Sequence, residues 1–325
     1  MIKRKIPRNA AAKAAIEFVE NLTLVGDDSG EPVKLLPFQK DILSVLFGLT
    51  DKQGNRKIKR CLLLLPRKQA KTFLAATVVL YWLLGRGLKG QQCLSIANDK
   101  SQAAFLFAMA KQIVEADPEL QAVTEVIGST KSDGGAKRIT VPMANSFYAA
   151  LSSESDTKTG FNASLVIVDE AQAIADVELI KNITTGRTAR KDYLTIFIGT
   201  AGTRKDTPFY AEYEYAKKWQ AGEIENDEYY AWIYEANEDD DWTSEATWKK
   251  VMPAYGKFCR PEAVREEFKL AQDMPHKESE FKQYMLNLWQ ILGGVSWLPD
   301  SDWMKDNNRP PLGDAKEYYA GLDKA

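Results

Sequence analysis

Residues 61–72 read CLLLLPRKQAKT, and residues 73–87 continue FLAATVVLYWLLGRG. The short, wholly apolar run suits a strand covered on both faces. The polar stretch after it holds a proline and three cations, and the second apolar run is long enough for a helix. Strand, loop and helix in that order, with Lys71 and Thr72 where the helix begins, is what a phosphate loop requires. Backbone N–H groups at a helix N-terminus meet the anionic oxygens, one ammonium reaches the outer phosphates, and one hydroxyl holds magnesium. The pattern departs from G-x-x-x-x-G-K-[ST], because Leu65 and Ala70 stand where the glycines would. Alanine is small enough for backbone to approach phosphate but resists a positive φ. A solvated basic loop could carry the same local sequence, so its surroundings must decide.

Outward from this segment, strand-like and helix-like stretches alternate. Residues 10–22, AAAKAAIEFVENL, read as a first helix, and LLPFQKDILSVLFGL as a second starting near Pro37. QQCLSIAND (91–99) is a strand and SQAAFLFAMAKQIVEA (101–116) its helix. RITV (138–141) and SFYAAL (146–151) are strands, SLVIVDE (164–170) a buried one, VELIKNITTGRTA (177–189) a helix and YLTIFIGT (193–200) a further strand. Apolar strands alternating with helices predict an α/β fold with a mainly parallel sheet covered on both faces. Residues 203–305 are rich in Trp, Tyr and acids, with helical runs such as PEAVREEFKLAQDM, and are expected to form a small, mostly helical subdomain. NNRPPLGDAKEYY (307–319) reads as a linker into a last strand, YYAGLDKA, giving expected divisions of 1–202, 203–305 and 306–325.

Two more strand ends carry chemistry. SLVIVDE closes an apolar run with Asp169 and Glu170, at the sheet edge where open α/β folds bind ligands. There Asp169 would hold magnesium through water, and Glu170 would polarise the water attacking a γ-phosphate. Acidic capping of the next helix explains the same pair less fully, because two acids follow a run with no other polar residue. Thr200, Ala201 and Gly202 end the following strand, where a small hydroxyl can sense phosphate or simply begin a turn. Gln39, in PFQKDIL just upstream of the loop strand, can both donate to and accept from an adenine edge.

Composition removes several classes. With 43 basic and 45 acidic residues the net charge is −2, which does not describe a surface coated for static nucleic-acid binding. Cys61, Cys93 and Cys259 form no CxxC pair, and His276 is the single histidine, so neither a His-based zinc site nor a serine-type triad has its parts. The apolar runs are too short or too interrupted to span a bilayer, and the basic start, Lys3 to Arg8, precedes Ala-rich helical sequence rather than a secretory segment. A reducing cytosol is the expected compartment.

In order along the chain, LLPFQKDIL (35–43), PRKQAKT (66–72), LSSESDTKTGFNASLVIVDEAQ (151–172) and TTGRTARKDYLTIFIGTAG (184–202) resemble the large terminase subunits of tailed bacteriophages, in the HK97-like branch. DDDWTSEATWKKVMPAYGKFCRPEAVREEFKLAQ (239–272) and FKQYMLNLWQ (281–290) extend the likeness, which covers about residues 35–325. The resemblance implies a DNA-packaging P-loop ATPase of the additional-strand, catalytic-glutamate class, followed by a nuclease of ribonuclease-H type. It matches Pro66, Arg67, Lys68, Gln69, Ala70, Lys71 and Thr72 to the phosphate loop, and Asp169 and Glu170 to the Walker B pair. It also matches Thr200 to Gly202 to the coupling motif and Gln39 to adenine recognition. Arg67 or Lys68 would stabilise transition-state charge in cis, with Arg138 or Arg187 as candidates in trans. The implied cofactors are ATP and Mg2+, with Mg2+ or Mn2+ for the nuclease, whose first metal ligand would be Asp323. With that carboxylate alone before Ala325, residues 1–325 are expected to hydrolyse ATP without cutting DNA. Expected partners are double-stranded DNA, the procapsid portal, a small terminase subunit and copies of the chain in a ring. No membrane is involved, and the place of work is the host cytoplasm at the portal vertex. A helicase-like translocase and a non-catalytic nucleotide-binding scaffold remain as alternatives.

Overall fold

The computed structural model describes residues 5–26, 30–128, 137–152, 161–174, 180–181 and 190–290. Two helices, α1 (Ala10–Glu20) and α2 (Pro37–Gly48), precede strand β1 (Arg60–Leu64). Helix α3 (Lys71–Leu80) follows the loop and ends in a π-turn, Tyr81–Gly85. Then come β2 (Gln92–Ala97), α4 (Lys100–Ala116), α5 (Pro118–Val123), β3 (Glu125–Ile127), β4 (Arg138–Val141) and β5 (Ser146–Ser152). Strands β6 (Leu165–Val168) and β7 (Leu194–Gly199) lead to α6 (Pro208–Ala221), β8 (Tyr229–Ile233), α7 (Glu245–Val251), α8 (Pro261–Asp273) and α9 (Pro275–Tyr284). The helix expected over 177–189 falls outside the described residues except for Ile180 and Lys181. The linker and the last strand, with Asp323, fall outside them entirely.

All eight strands form one sheet in the order β3-β4-β5-β2-β6-β7-β1-β8. From β5 to β8 every neighbouring pair is parallel, and β4 runs antiparallel to β3 and β5. The two runs read as buried strands are so, with every residue of β6 and all of β1 but its first buried, and every residue of β7 is buried as well. Side chains of β1 alternate between two helical layers. Cys61 and Leu63 face α2 and α3 with Ile196, Ile198 and Trp232, around a small apolar space that Ile42, Leu46, Leu74 and Val78 also line. Arg60 points the other way, over Phe197 and into an ion pair with buried Glu212 of α6. The three cysteines are free and buried.

Over 203–290 the structure has the expected helical character and one strand that the sequence reading did not single out. Tyr229–Ile233 pairs parallel with β1, from Arg60↔Tyr229 to Leu64↔Ile233. The segment beyond Gly202 thus completes the sheet beside the loop strand. Its Trp248, Val251 and Phe281 belong to the same apolar core as β1 and α3.

The sheet edge opposite the strand tips is tied by one carboxylate. Asp192, just before β7, accepts from Arg56 (2.8 Å) and from Arg86, with Lys59 at 3.8 Å. Both guanidiniums lie over the fully buried ring of Trp82. Burial acts to raise the Asp192 pKa, but the two arginines hold it below the usual carboxylate range. Asp192→Asn leaves the buried Arg56 without its counter-ion, so a loss of about 3 kcal/mol is expected in chemical denaturation. A loss under about 0.5 kcal/mol would show that the pair contributes no more than a surface contact does.

Candidate nucleotide-binding site

Three strand tips meet at one edge of the sheet, and chain order does not match spatial order there. β7 lies between β1, which leads into the phosphate loop, and β6, which leads into Asp169-Glu170. Thr200 at the tip of β7 therefore stands between the basic and the acidic loops. Leu65 N–H donates to Gly199 O (3.1 Å) and Asp169 N–H to Ile96 O (2.9 Å), so the ladders extend into the first residue of each loop.

Lys71 begins α3 with its side chain turned into the fold. It is 8% exposed, and its Nζ donates to Leu65 O (3.1 Å), Pro66 O (3.0 Å) and Thr200 Oγ1 (2.6 Å). Burial pushes the ammonium pKa down; Glu170 and Asp169 oppose that, and Arg67 adds to it. The Thr200 hydroxyl donates in turn to Leu65 O (3.1 Å). Pro66 is buried and Thr72 half-buried.

Ala70 corrects one expectation. It adopts φ 55° and ψ 36°, the left-handed region that alanine resists, and Lys68 does likewise at φ 62°. Such backbone costs on the order of 1–2 kcal/mol at a non-glycine residue and persists only where its surroundings enforce it. Gln69, between the two, supplies that enforcement. It is 1% exposed, its Nε2 donates to Arg67 O (3.2 Å), and its Oε1 accepts from Ala254 N–H (2.8 Å). Arg67 is anchored from the same side: its N–H donates to Tyr284 O (2.8 Å), and its guanidinium lies 3.3 Å from the Tyr284 ring centroid.

On the acidic side, Asp169 is 5% exposed and its pKa is raised to about 6, by burial first and then by the Glu170 charge. Its carboxylate accepts from Glu170 N–H (3.0 Å). Glu170 also has left-handed backbone, φ 44°. Its carboxylate accepts from Gln172 Nε2 (2.5 Å), and Gln172 Oε1 accepts from Thr200 N–H (3.2 Å). Gln39 is fully buried in the first turn of α2. Its Oε1 caps that helix by accepting from Leu36 N–H (2.9 Å), and its Nε2 has no partner. The neighbouring Phe38 packs edge-on against Tyr234, whose N–H donates to Leu64 O, so this end of α2 lies at the loop side of the sheet.

The structure thus gathers Lys71, Thr200, Asp169, Glu170 and the loop residues into one site. Arg138 stands apart, on β4 five strand positions from β1 or roughly 24 Å across the sheet, stacked on Phe147. Arg187 lies outside the described residues, as Asp323 does. Among the described residues no cluster of three or more His, Cys, Asp or Glu is arranged to hold a metal ion, and no helix is long and apolar enough to cross a membrane. Gln172, Gln283 and Asn287 escaped the sequence reading. Gln283 Nε2 donates to Ala201 O (2.9 Å), and Asn287 Oδ1 accepts from Ala201 N–H (2.7 Å). One signal was available: glycine at the tip of an apolar strand marks a close approach. A Cβ at Gly199 would stand 2.4 Å from Gln172 Oε1.

Comparison with known proteins points to one family. Residues 37–218 match the family model "Terminase large subunit, ATPase domain", and residues 223–324 match "Terminase large subunit, endonuclease domain". The chain is 30% identical to the terminase large subunit of Enterobacteria phage HK97 over 95% of its own length and 58% of that protein. It is 25% identical to the large subunit of Lactococcus phage p2, over 95% and 57% of the two chains. It therefore spans a little over half the length of these relatives. The crystal structure of the HK97 large terminase superposes with a TM-score of 0.75 at 27% identity, covering 86% of this chain and 55% of that one.

The raised Asp169 pKa has a stability consequence in the absence of metal. The folded state binds this proton more tightly than an unfolded aspartate, whose reference value is 3.8. Charging the group therefore destabilises the fold as pH rises from about 4 to about 6, and a deficit on the order of 2–3 kcal/mol persists at higher pH. Asp169→Asn removes the deficit. In EDTA its thermal midpoint is expected above the parent's near pH 7.5, converging on it near pH 4. A midpoint no higher than the parent's near pH 7.5 would contradict the burial cost.

Proposed function

The chain belongs to the large terminase family, and from that premise we propose that it is the ATP-hydrolysing motor part of a machine that packages double-stranded DNA into a viral procapsid. One observation carries the reading. The ammonium of Lys71 is buried among Leu65 O, Pro66 O and Thr200 Oγ1, beside two carboxylates, at the tip of the strand that separates them. Three neutral oxygens satisfy its donors, and an outer phosphate would add the charge they lack. The backbone from Pro66 to Ala70 forms the cradle around the β- and γ-phosphates.

Magnesium fits the residues present. Thr72 would hold the ion directly and Asp169 through water, with phosphate oxygens completing the shell, in keeping with an ion bound by few protein groups. The ion supplies charge neutralisation at the phosphates. Glu170 orients and deprotonates the attacking water, and Thr200 links the β7 tip to the γ-phosphate position. Gln39, with one buried amide nitrogen unpaired, is assigned to the adenine edge. Arg67 would act in cis only after leaving the Tyr284 ring; Arg138 and Arg187 are the candidates in trans. Residues 1–202 carry this chemistry, 203–305 form the lid and linker while lending β8 to the same sheet, and 306–325 begin the nuclease at the far end of the 223–324 span that matches the nuclease family model, with Asp323 as its first metal ligand. Portal protein, small terminase subunit and further copies in a ring are the proposed partners, at the procapsid vertex in the host cytoplasm. The family match favours neither a helicase-like translocase nor an inert scaffold.

Lys71→Ala is expected to abolish ATP hydrolysis while the chain stays folded by circular dichroism; normal turnover would sink the site assignment. Glu170→Gln is expected to bind Mg-ATP but to hydrolyse it roughly two to four orders of magnitude more slowly. Asp169→Asn should weaken metal-dependent nucleotide binding as well. Calorimetric titration with a non-hydrolysable analogue, with and without magnesium, separates the two carboxylates.

A further inference from the structure

Gln172 lies two residues beyond Glu170, in the short 3-10 turn Ala171–Ala173, and bridges two strand tips. Its Nε2 donates to Glu170 Oε2 at 2.5 Å, and its Oε1 accepts from Thr200 N–H at 3.2 Å. An amide holds its donor and acceptor at a fixed separation, so the bond to the β7 backbone determines where the donor stands. Turning the amide over would set its oxygen against the Glu170 carboxylate and its NH2 against the Thr200 N–H. Both partners therefore fix one orientation. Gly199 gives access, because a Cβ there would meet Gln172 Oε1 at 2.4 Å. Glu170 needs such a hold, since its backbone is in the left-handed region and its carboxylate has to be aimed at a water molecule.

We infer that Gln172 is a positioning residue, aiming the Glu170 carboxylate and relaying to it the state of the β7 tip. The inference rests on the ATPase reading above. The relay is a series of hydrogen bonds: Lys71 to the Thr200 hydroxyl (2.6 Å), the Thr200 N–H to Gln172 (3.2 Å), and Gln172 to Glu170 (2.5 Å). A phosphate that draws Lys71 away from Thr200 disturbs the first bond, and the amide passes that displacement to the carboxylate. Hydrolytic competence then depends on Lys71 having found its phosphate.

The test measures steady-state ATP hydrolysis, binding of a fluorescent ATP analogue and the thermal midpoint, for the whole chain and four variants. Gln172→Met keeps the volume and removes both hydrogen bonds. Gln172→Glu keeps the shape and the acceptor but sets a second carboxylate against Glu170. Each is expected to lower kcat roughly ten- to a hundredfold, the effect of misplacing a reacting group by about 1 Å, with KM changed less than about threefold. Gly199→Ala should lower kcat as well, and because its Cβ would also meet the Phe209 ring at 2.8 Å, its loss of thermal midpoint is set aside and only its kcat is compared with the Gln172 variants. A packing role predicts the reverse: the isosteric Glu variant would keep the parental kcat, or the losses would follow the thermal midpoint and analogue binding. Either result overturns the inference. Glu170→Gln separates the two levels. If it is inactive while the Gln172 variants turn over normally, only the positioning role fails. If it hydrolyses at the parental rate, or the parent itself does not hydrolyse ATP, the ATPase reading fails and takes this inference with it.

Discussion

The site depends on an ammonium taken out of water. Isolated burial of such a charge costs several kcal/mol, so Lys71 can stay inside only where oxygens surround it. Those oxygens come from two places far apart in the chain: the consecutive carbonyls of Leu65 and Pro66 after β1, and Thr200 at the tip of β7. Meeting the ammonium requires β7 to lie directly beside β1, and the carboxylates that oppose its loss of charge require β6 to lie beside β7. The strand order at the centre of the sheet and the chemistry at its edge are thus one constraint.

The same edge is held from outside by the segment around α9. Tyr284 takes the N–H of Arg67 and stacks on its guanidinium, while Ala254 donates to Gln69. Gln283 and Asn287 clasp Ala201, and Gln290 N–H donates to Gly202 O. Each bond contributes about 1 kcal/mol. Together they attach the loop after β1 to Ala254 and Tyr284, and the β7 tip to residues 283–290. Movement of either element must therefore move those segments or break several bonds at once.

Much of this was legible because burial on both faces writes itself as an uninterrupted apolar run. Cys61–Leu65, Leu165–Val168 and Leu194–Gly199 each announce a central strand, and Lys71, Asp169-Glu170 and Thr200 follow at their ends. β8 was not legible: YYAWI is aromatic rather than aliphatic, and it sits among helical patterns. Asp192 and Asn287 were missed because their partners lie tens of residues away, and Gln172 because the bond that fixes its amide comes from Thr200 on another strand. A polar residue in a loop carries no mark of the group it meets. The place of β7 between β6 and β1 is likewise a matter of spatial order, which periodicity does not encode.

The loop without glycine shows how far tertiary contacts override local preference. Glycine at positions 65 and 70 would let the backbone turn freely, yet Leu65 is fully buried at the strand end and Ala70 takes a left-handed conformation all the same. Two strained residues, Lys68 and Ala70, flank Gln69, whose side chain is bonded at both ends. A glycine loop also loses more conformational freedom when it becomes ordered. The turn is held through Lys71 to the β7 tip, through Gln69 to Ala254, and through Arg67 to Tyr284 at the end of α9. Backbone strain at Lys68 and Ala70 is thus carried by contacts with the β7 tip, Ala254 and Tyr284, so the shape of the loop is set by the fold around it rather than by its own residues.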